Sequence, residues 1–311
     1  MDFRVVSLLP SATEIVWALG LGENLVGRSH ECDYPEEVRK LPALTRAKVE
    51  THAPSADIDT SVRSLLDRGL SVYDLDADLL ARLRPDVVVT QDRCAVCAVS
   101  GEEVEEALRA CAGIEARLVL LSARSLEGIF EDVLRVGEAT GRETKAREVV
   151  AEIRERMASL RARHPSFRSR PRVLCLEWLD PPMVAGNWIP ELVELGGGQC
   201  PLVGRGEPSR VVSWEEIREF EPDVLVLMPC GFSVERTFAE LDAFLRRAPW
   251  EDLPAFRNGR VYVADGNAYL NRPGPRIAES AELLAGLIQP GFFAHRIPRG
   301  SYRRVETRGR V

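Results

Sequence analysis

The chain has 311 residues, with 41 lysines and arginines against 48 aspartates and glutamates, and a formal net charge of −7. Hydrophobic residues make up 45% and charged residues 29%, which excludes a disordered or fibrous chain. The acidic balance argues against nucleic acid as a partner. No stretch of the sequence reaches the roughly 18 apolar residues that a membrane span needs.

The N-terminus and the cysteines bear on the compartment in which the protein works. Residues 1–6 run directly into an apolar, strand-like stretch and lack the charged, apolar and small-residue regions of a signal peptide. We therefore expect a cytoplasmic protein as the sequence is written, and a periplasmic or lipid-anchored protein if a signal peptide has been removed. The 7 cysteines are an odd number and are typical of reduced thiols rather than of a disulfide framework.

A diverged internal repeat organises the chain. The stretches Arg84-Pro85-Asp86-Val87 and Glu221-Pro222-Asp223-Val224 each follow a helical pattern, and in both of them proline ends the helix before a short β-branched strand. Two further pairs of strands echo each other, at 4–8 and 172–176 and at 117–121 and 260–264. Short apolar strands separated by helices predict parallel sheets covered on both faces, and hence an α/β fold with two lobes.

The repeat and the connecting pattern set the predicted domains. We predict an N-terminal α/β lobe over residues 1–124, connecting helices over 125–165, a C-terminal α/β lobe over 166–290 and a basic tail over 291–311. The second connecting helix, from about residue 143 to 163, would be roughly 30 Å long and stiff. The tail is interpreted as a solvated segment, with a basic arm that binds a partner as the alternative.

The loops that follow the strands are where ligands bind in open α/β sheets. After the first strand, Ser11 and Glu14 have the spacing of a capping box, and the free amides of the same helix start could instead receive an anionic or carbonyl group of a ligand. Tyr34 stands before a proline, which holds it extended and lets its ring face a flat ligand.

A CxxC motif raises a different possibility. Cys94 and Cys97 follow the strand that ends near Thr90, but zinc needs four ligands and a second CxxC is absent. His30 and Cys32 could complete a ligand set if their loop lies beside this one. A metal site or a redox pair therefore stays open, against the alternative that the cysteines only pack the loop.

Aromatic and polar residues accumulate in two loops of the second lobe. Trp178 and Trp188 lie in a loop that three prolines interrupt, where they could supply rigid contact area in a cleft or pack the loop on itself. Asn267, Tyr269 and Arg272 follow the final strand of the lobe and would form a polar lip. The sequence has no Gly-x-Ser-x-Gly elbow, no His-Glu-x-x-His motif and no dinucleotide turn, so we predict no catalysis.

Several of these stretches together resemble a known family. The chain is similar to the periplasmic-binding-protein family of ABC importers for cobalamin, iron-siderophores and haem, and most of all to its cobalamin-binding branch. The resemblance covers about residues 4 to 288 and is carried by the following stretches: Ser7 to Glu14, Cys32-Asp33-Tyr34-Pro35, Arg84 to Val88, Asp180-Pro181-Pro182, Glu221 to Val224 and Pro275-Arg276.

The resemblance implies two Rossmann-like lobes with parallel sheets, joined by one long helix, with a ligand cleft between the lobes. In the cobalamin binders of that family, mostly aromatic and apolar contacts hold the corrin, and a few polar groups bind its amide side chains. By position, the resemblance assigns ligand contacts to the following residues: Tyr34, Gln91, Asp92, Arg93, Glu177, Trp178, Asn267, Tyr269 and Arg272; Ser11 and Trp188 join them on the arguments above. It also implies that Asp78 and Glu215 dock onto arginines of a permease, although acids near helix starts are favoured in any case.

The first hypothesis is therefore a monomeric, non-catalytic binder of cobalamin or a related corrinoid, either as the substrate-binding component of an ABC importer or as a cytoplasmic corrinoid carrier. A second hypothesis is a binder of haem or a siderophore. A third, from another class, is a thiol-based metal or redox protein that uses Cys94 and Cys97, with His30 and Cys32 as further ligands.

Overall fold

A computed structural model describes residues 3–68, 70–91, 100–110, 115–164 and 167–306 of the chain. These residues form two compact units. The first comprises the described residues up to Glu152 and the second those from Ile153 on, except that residues 54–56 and 124–126 also belong to the second unit. The predicted boundaries at residues 124, 165 and 290 are finer than this division and stay predictions.

The first unit is built around a parallel sheet, as the sequence predicts. Its described strands lie in the order β2-β1-β5-β6, and every neighbouring pair is parallel. A separate antiparallel pair joins β3 and β4. The strands are β1 (Val5–Ser7), β2 (Leu25–Arg28), β3 (Thr45–Ala47), β4 (Tyr73–Leu75), β5 (Val87–Gln91) and β6 (Arg117–Leu121). The helices are α1 (Pro10–Ala18), α2 (Ser55–Asp67), α3 (Ala77–Leu83), α4 (Gly101–Ala110) and α5 (Leu126–Ala139).

The second unit holds a mixed sheet. The order of its described strands is β12-β11-β10-β7-β8-β9, in which β11, β10 and β7 are mutually parallel and the pairs at either side are antiparallel. The strands are β7 (Val173–Leu179), β8 (Pro182–Val184), β9 (Arg210–Val211), β10 (Val224–Leu227), β11 (Val261–Ala264) and β12 (Tyr302–Arg304). The helices are α7 (Ile189–Leu195), α8 (Trp214–Phe220), α9 (Val234–Leu245), α10 (Pro254–Arg257), α11 (Ile277–Ile288) and α12 (Pro290–Phe293).

The predicted parallel strands form the centre of the second sheet, and antiparallel strands extend it on either side. The connection from β7 to β8 is only two residues long, and a tight connection of this kind can join only antiparallel strands. The parallel centre is nevertheless the predicted part, because its strands are continuous apolar runs: Val224, Leu225, Val226 and Leu227 are all 0% exposed.

The predicted long connecting helix is present as α6 (Glu143–Arg161), directly after α5. The division between the two units falls inside α6, between Glu152 and Ile153, so this helix contributes to both. On its apolar side Val150, Ile153 and Met157 are buried, as the sequence pattern predicts. None of the helices in the described part of the chain is both long and apolar enough to cross a bilayer.

The solvated tail predicted from residue 291 is a wrong interpretation over its described part. Tyr302–Arg304 form β12, which pairs antiparallel with β11, and Phe293 is only 2% exposed. Arg296 is held in place because its guanidinium Nη1 donates to Ser159 Oγ on α6 at 2.6 Å. The arginine-rich composition concealed this strand because its charged side chains lie on an exposed edge, where strands commonly carry charge.

The internal repeat corresponds to one structural device, which we call the Pro-Asp joint and define as residues 84–87 in the first unit and 221–224 in the second. In the first joint Asp86 Oδ2 accepts a hydrogen bond from the backbone N–H of Arg4 at 2.7 Å. In the second joint Asp223 Oδ2 accepts from the backbone N–H of Arg172 at 2.8 Å. Each carboxylate thus ties the start of a central strand to the start of its unit's opening strand.

The joints also share an uncommon backbone conformation. The residue before each proline lies in the left-handed region, with φ of 44° at Arg84 and 47° at Glu221. This conformation costs a non-glycine residue roughly 1–2 kcal/mol, so the surrounding contacts must hold it.

We predict that Asp86→Ala and Asp223→Ala each lower the free energy of unfolding by about 1 kcal/mol, because each removes a charge-assisted hydrogen bond from a partly exposed site. Asp86→Asn and Asp223→Asn keep an acceptor oxygen and serve as matched controls that retain most of the stability. Urea unfolding of the four variants measures this, and equal stabilities of the alanine and asparagine variants would contradict it.

Candidate functional site

A buried network of hydroxyl and thiol groups lies at the carboxyl ends of β1 and β2 in the first unit. Thr13 Oγ1 lies 2.8 Å from Ser7 Oγ and 3.0 Å from Cys32 Sγ, and Ser29 Oγ lies 3.3 Å from the same sulfur. Ser7, Thr13, Ser29 and Cys32 are all 3% exposed or less. The network therefore fixes the two loops relative to each other, and the thiol of Cys32 is already engaged by hydroxyl groups.

Ser11 lies in this region, but not as a helix cap. The N-cap of α1 is Leu9, no side chain caps the helix, and Pro10 takes the first helical position. The predicted capping box of Ser11 and Glu14 is therefore wrong, because a proline pre-set for the first turn places both side chains two positions further into the helix. Both are buried, at 2% and 4% exposure. A ligand contact by Ser11 stays a prediction.

His30 lies directly beyond β2. Its Nδ1 is 2.8 Å from Thr45 Oγ1, and its ring centroid is 5.5 Å from that of Tyr73. Its Nε2 is buried without a hydrogen-bond partner among the described residues. Burial and the nearby Arg28 lower the pKa of His30 below its ordinary value.

The other predicted residues of the first unit are more exposed. Tyr34 is 47% exposed, as a ring that contacts a ligand would be. Gln91 is the last residue of β5 and is half-buried, at the same end of the sheet as the loop of His30 and Cys32. Asp92, Arg93, Cys94 and Cys97 lie outside the described residues, so their predicted roles stay predictions. Among the residues that are described, no three or more His, Cys, Asp or Glu side chains are grouped to hold a metal ion.

In the second unit, three segments meet at the carboxyl end of the parallel strands. The backbone N–H of Cys230, beyond β10, donates to the carbonyl of Glu177 in β7 at 3.0 Å. The N–H of Asn267, beyond β11, donates to the carbonyl of Phe232 at 3.1 Å. Asn271 Nδ2 donates to the carbonyl of Met228 at 2.8 Å. The structure thus brings the predicted residues Glu177 and Asn267 to one sheet edge.

Aromatic rings and a guanidinium occupy this edge, which we call the ring edge and define by Trp178, Phe232, Arg236, Asn267 and Tyr269. The rings of Trp178 and Phe232 are 5.5 Å apart at an interplanar angle of 60°. The guanidinium carbon of Arg236 lies 4.5 Å from the centre of the Phe232 ring. The indole N–H of Trp178 donates to the carbonyl of Asp180 at 3.1 Å, which fixes the orientation of the ring.

Sequence reasoning missed Phe232, Arg236 and the exposed Cys230. The repeat could have located them, because the segment after β10 corresponds to the segment after β5, where Gln91 was singled out. Phe232 itself is buried, at 4% exposure, so it supports Trp178 rather than presenting a ring face of its own.

A short π-helical turn, Gly266–Leu270, carries Asn267 and Tyr269. Asp265 caps it by accepting the N–H of Ala268 at 2.7 Å, and burial raises the pKa of this carboxyl although Arg272 and Arg276 oppose the shift. The turn approaches the β10 loop so closely that a Cβ at Gly266 would lie 2.2 Å from the carbonyl oxygen of Pro229. Only glycine fits there.

Trp188 and Arg272 lie beneath this turn rather than at its surface. Trp188 is 9% exposed, and its indole N–H donates to the carbonyl of Leu270 at 2.9 Å. Arg272 is 4% exposed, and its Nη2 donates to Asn267 Oδ1 at 2.9 Å. Tyr269 lies nearer the surface, with the guanidinium carbon of Arg276 5.3 Å from its ring centre. The predicted residues are therefore together, but they divide into an outer and an inner layer.

Asp78 and Glu215 occupy matching places in the two units. Both lie in the first turn of a seven-residue helix, α3 and α8, each of which ends at a Pro-Asp joint. Both are exposed, and neither side chain has a hydrogen-bond or ion-pair partner among the described residues. Their shared position is confirmed, and their role in docking stays a prediction.

A cavity of about 260 Å³ also lies in the second unit, away from the ring edge. It contains none of the predicted ligand residues, and its lining is mainly charged, with Arg161, Arg170, Arg205, Glu191 and Glu194. Glu191 accepts the N–H of Leu126 at 2.8 Å, and Glu194 pairs with Arg205, so much of this charge serves the local fold.

The lowered pKa of His30 predicts a pH dependence of stability. The folded chain favours the neutral imidazole, so this contribution is present above the ordinary pKa of 6.5 and is lost as the pH falls through the lower pKa of the folded state. Between these values the free energy of unfolding should fall with decreasing pH by at most about 1.4 kcal/mol per unit, the limit for one proton.

His30→Asn keeps a polar atom in the place of Nδ1. Its free energy of unfolding, measured with denaturant, should decline less steeply than that of the wild type between about pH 8 and pH 5. The exposed His52, substituted as His52→Asn, is the control and should follow the wild type. Parallel curves for the His30→Asn variant and the wild type would contradict the prediction.

Comparison with known proteins agrees with this architecture. Residues 5–268 match the family described as "Periplasmic binding protein". A vitamin B12-binding protein of Vibrio parahaemolyticus is 25% identical over 275 residues, which cover 88% of this chain and 84% of that protein. An uncharacterized ABC transporter substrate-binding lipoprotein of Bacillus subtilis, YvrC, is 23% identical over 295 residues, covering 93% and 81%.

Solved structures with the same fold include proteins named for two different ligands. The periplasmic haem-binding protein RhuT from Roseiflexus sp. RS-1 superimposes with a TM-score of 0.70 at 24% identity, covering 93% of this chain and 99% of that one. The periplasmic vitamin B12 binding protein BtuF of Vibrio cholerae superimposes with a TM-score of 0.66 at 21% identity, covering 92% and 96%. The predicted two-lobe α/β fold is confirmed, and with a family match over most of its length this chain belongs to the periplasmic binding protein family.

Proposed function

We propose that this protein binds cobalamin or a related corrinoid without chemical turnover, as the substrate-binding component of an ABC importer. The observation that carries the proposal is the ring edge of the second unit. There Trp178 is held at a fixed angle by Phe232 and by its own hydrogen bond to Asp180, beside the polar side chains of Asn267 and Tyr269. A wide, flat ligand with a polar fringe needs such a combination of ring surface and scattered hydrogen-bonding groups.

The relatives support this proposal in two ways. Relatives named vitamin B12-binding proteins cover most of the chain, and the Bacillus relative is named as part of an ABC transporter. The names "periplasmic" and "lipoprotein" on these proteins favour a place outside the cytoplasm, and hence the importer component over the alternative of a cytoplasmic carrier. The contribution of Tyr34 from the first unit remains part of the proposal.

Haem is the second candidate ligand. Structures of haem-binding proteins share the fold with TM-scores of 0.70 and 0.67. The guanidinium groups of Arg236 and Arg276, which lie over the Phe232 and Tyr269 rings, would suit the carboxylates of haem as well as the amides of a corrin. Both candidates would occupy the same edge, so a binding experiment must compare them directly.

Titration of the purified chain with cyanocobalamin and with haemin, followed by absorbance and calorimetry, tests the proposal. We expect cyanocobalamin to bind with a dissociation constant in the micromolar range or below, about −8 kcal/mol or stronger. Binding of haemin alone would replace the first candidate by the second. Binding of neither would contradict both.

Trp178→Leu should weaken binding about tenfold or more, because a buried aromatic anchor commonly contributes roughly 2 kcal/mol. Phe292→Leu is the matched control, since Phe292 is an exposed aromatic residue of the same unit that does not follow a parallel strand, and it should bind as the wild type does. An unchanged affinity of the Trp178→Leu variant would show that the ring edge is not the site.

The docking role of Asp78 and Glu215 is tested separately. The double variant Asp78→Arg/Glu215→Arg should bind ligand normally but lose most of its stimulation of the ATPase of its permease in proteoliposomes, because the charge reversal opposes docking arginines. Glu106→Arg/Glu251→Arg, at exposed acids elsewhere on the two units, is the control. Equal stimulation by both double variants would contradict the role.

A further inference from the structure

We infer that Arg272 is a positioning residue, which fixes the side-chain amide of Asn267 so that Asn267 donates a hydrogen bond to an acceptor oxygen on the fringe of the ligand. The inference deepens the proposed function and rests on it. It changes the predicted role of Arg272 from a ligand contact to an inner support, and it makes Asn267 a residue that selects the ligand by its chemistry.

The burial of Arg272 is the first step. With 4% of its surface exposed, its side chain has little area with which to contact a macrocycle. Its Nη2 instead lies 2.9 Å from Asn267 Oδ1. A buried guanidinium is retained only where partners satisfy it, and here one partner is a side chain of the ring edge.

The chemistry of the guanidinium then sets the orientation of the amide. Arginine has only donors, so the Asn267 atom that faces it must be the carbonyl oxygen. The opposite end of the same amide is Nδ2, which can only donate. The ligand group that meets Asn267 must therefore accept a hydrogen bond, as amide and carboxylate oxygens do.

The turn that carries Asn267 is held rigidly enough for this orientation to matter. The carbonyl of Leu270 accepts from the indole of Trp188 at 2.9 Å, and the carbonyl of Tyr269 accepts from Ser280 Oγ at 2.9 Å. With the cap at Asp265, the turn is fixed at its start and at its end. A hydrogen-bond donor whose orientation is already fixed in the free protein loses less conformational entropy on ligand binding than a mobile donor does.

A double-mutant cycle separates positioning from general support. The affinity for whichever of cyanocobalamin and haemin the wild type binds is measured for Asn267→Ala, for Arg272→Met and for the double variant. We expect each single substitution to weaken binding about tenfold and the double variant to be no weaker than Asn267→Ala alone, because Arg272 acts through Asn267. Arg272→Lys, which still donates, should restore part of the affinity. Additive effects would overturn the inference.

A second variant keeps the test decisive if Arg272→Met does not fold. Asn267→Asp retains an oxygen for Arg272 and adds an attractive charge, so it should unfold at the same temperature as the wild type or higher, but it replaces the donor by an acceptor. Haemin, with carboxylates, should then bind at least about tenfold more weakly, and cyanocobalamin less so, because its amides can turn to donate. Asn258→Asp, at an exposed residue, makes the same charge change as a control.

The outcomes distinguish this inference from the proposed function. If the wild type binds neither ligand, the proposed function fails. If the wild type binds a ligand, the proposed function stands. In that case an additive cycle refutes the role of Arg272, and where Arg272→Met does not fold, unchanged haemin affinity of the Asn267→Asp variant refutes the role of Asn267.

Discussion

The carboxylate of the Pro-Asp joint is the interaction on which both halves of this protein depend. In each unit it accepts a hydrogen bond from the backbone amide just before the opening strand, from Arg4 at 2.7 Å to Asp86 and from Arg172 at 2.8 Å to Asp223. It thereby ties together the starts of two neighbouring strands, close to a residue whose backbone lies in the left-handed region. The residues predicted to contact the ligand lie towards the other ends of these and the neighbouring strands.

The ring edge shows how an inner layer organises an outer one. Trp188, Arg272 and Phe232 are buried and make the contacts that hold the turn and the loop, whereas Trp178 and Tyr269 lie nearer the surface. A rigid aromatic surface with a few oriented polar groups suits recognition of a flat ligand, since little freedom is lost on binding. The predicted residues therefore divide into those that support the loops from within and those that lie at the surface.

The local pattern predicted the parts of the fold that depend on neighbouring residues. Proline followed by aspartate and a β-branched run marked both joints, and continuous apolar runs marked the parallel strands. The strands β8, β9 and β12 were missed because they are only two or three residues long and form by pairing at the sides of the parallel strands. The cap at Ser11 was misread because Pro10 starts the helix two residues earlier than the capping pattern predicts.

The sequence predicted which residues belong to the candidate site. It did not predict which of them are buried and which lie at the surface. Trp188 and Arg272 are residue types that often contact ligands. The structure shows, however, that tertiary packing leaves them only 9% and 4% exposed. Phe232 was missed because its segment has no motif of its own. Its role is seen only in the structure, where its ring contacts that of Trp178. Burial of this kind arises from contacts between segments far apart in the chain, which no local pattern encodes.

Amide hydrogen exchange with and without saturating cyanocobalamin tests the central claim most directly, because it reports where along the chain the ligand lies. Slower exchange confined to the loops beyond β7, β10 and β11, around Trp178, Phe232 and Asn267, and to the loop of Tyr34 is the predicted result. Protection that spares these loops and appears instead around the charged cavity of Arg161 and Arg205 would contradict it.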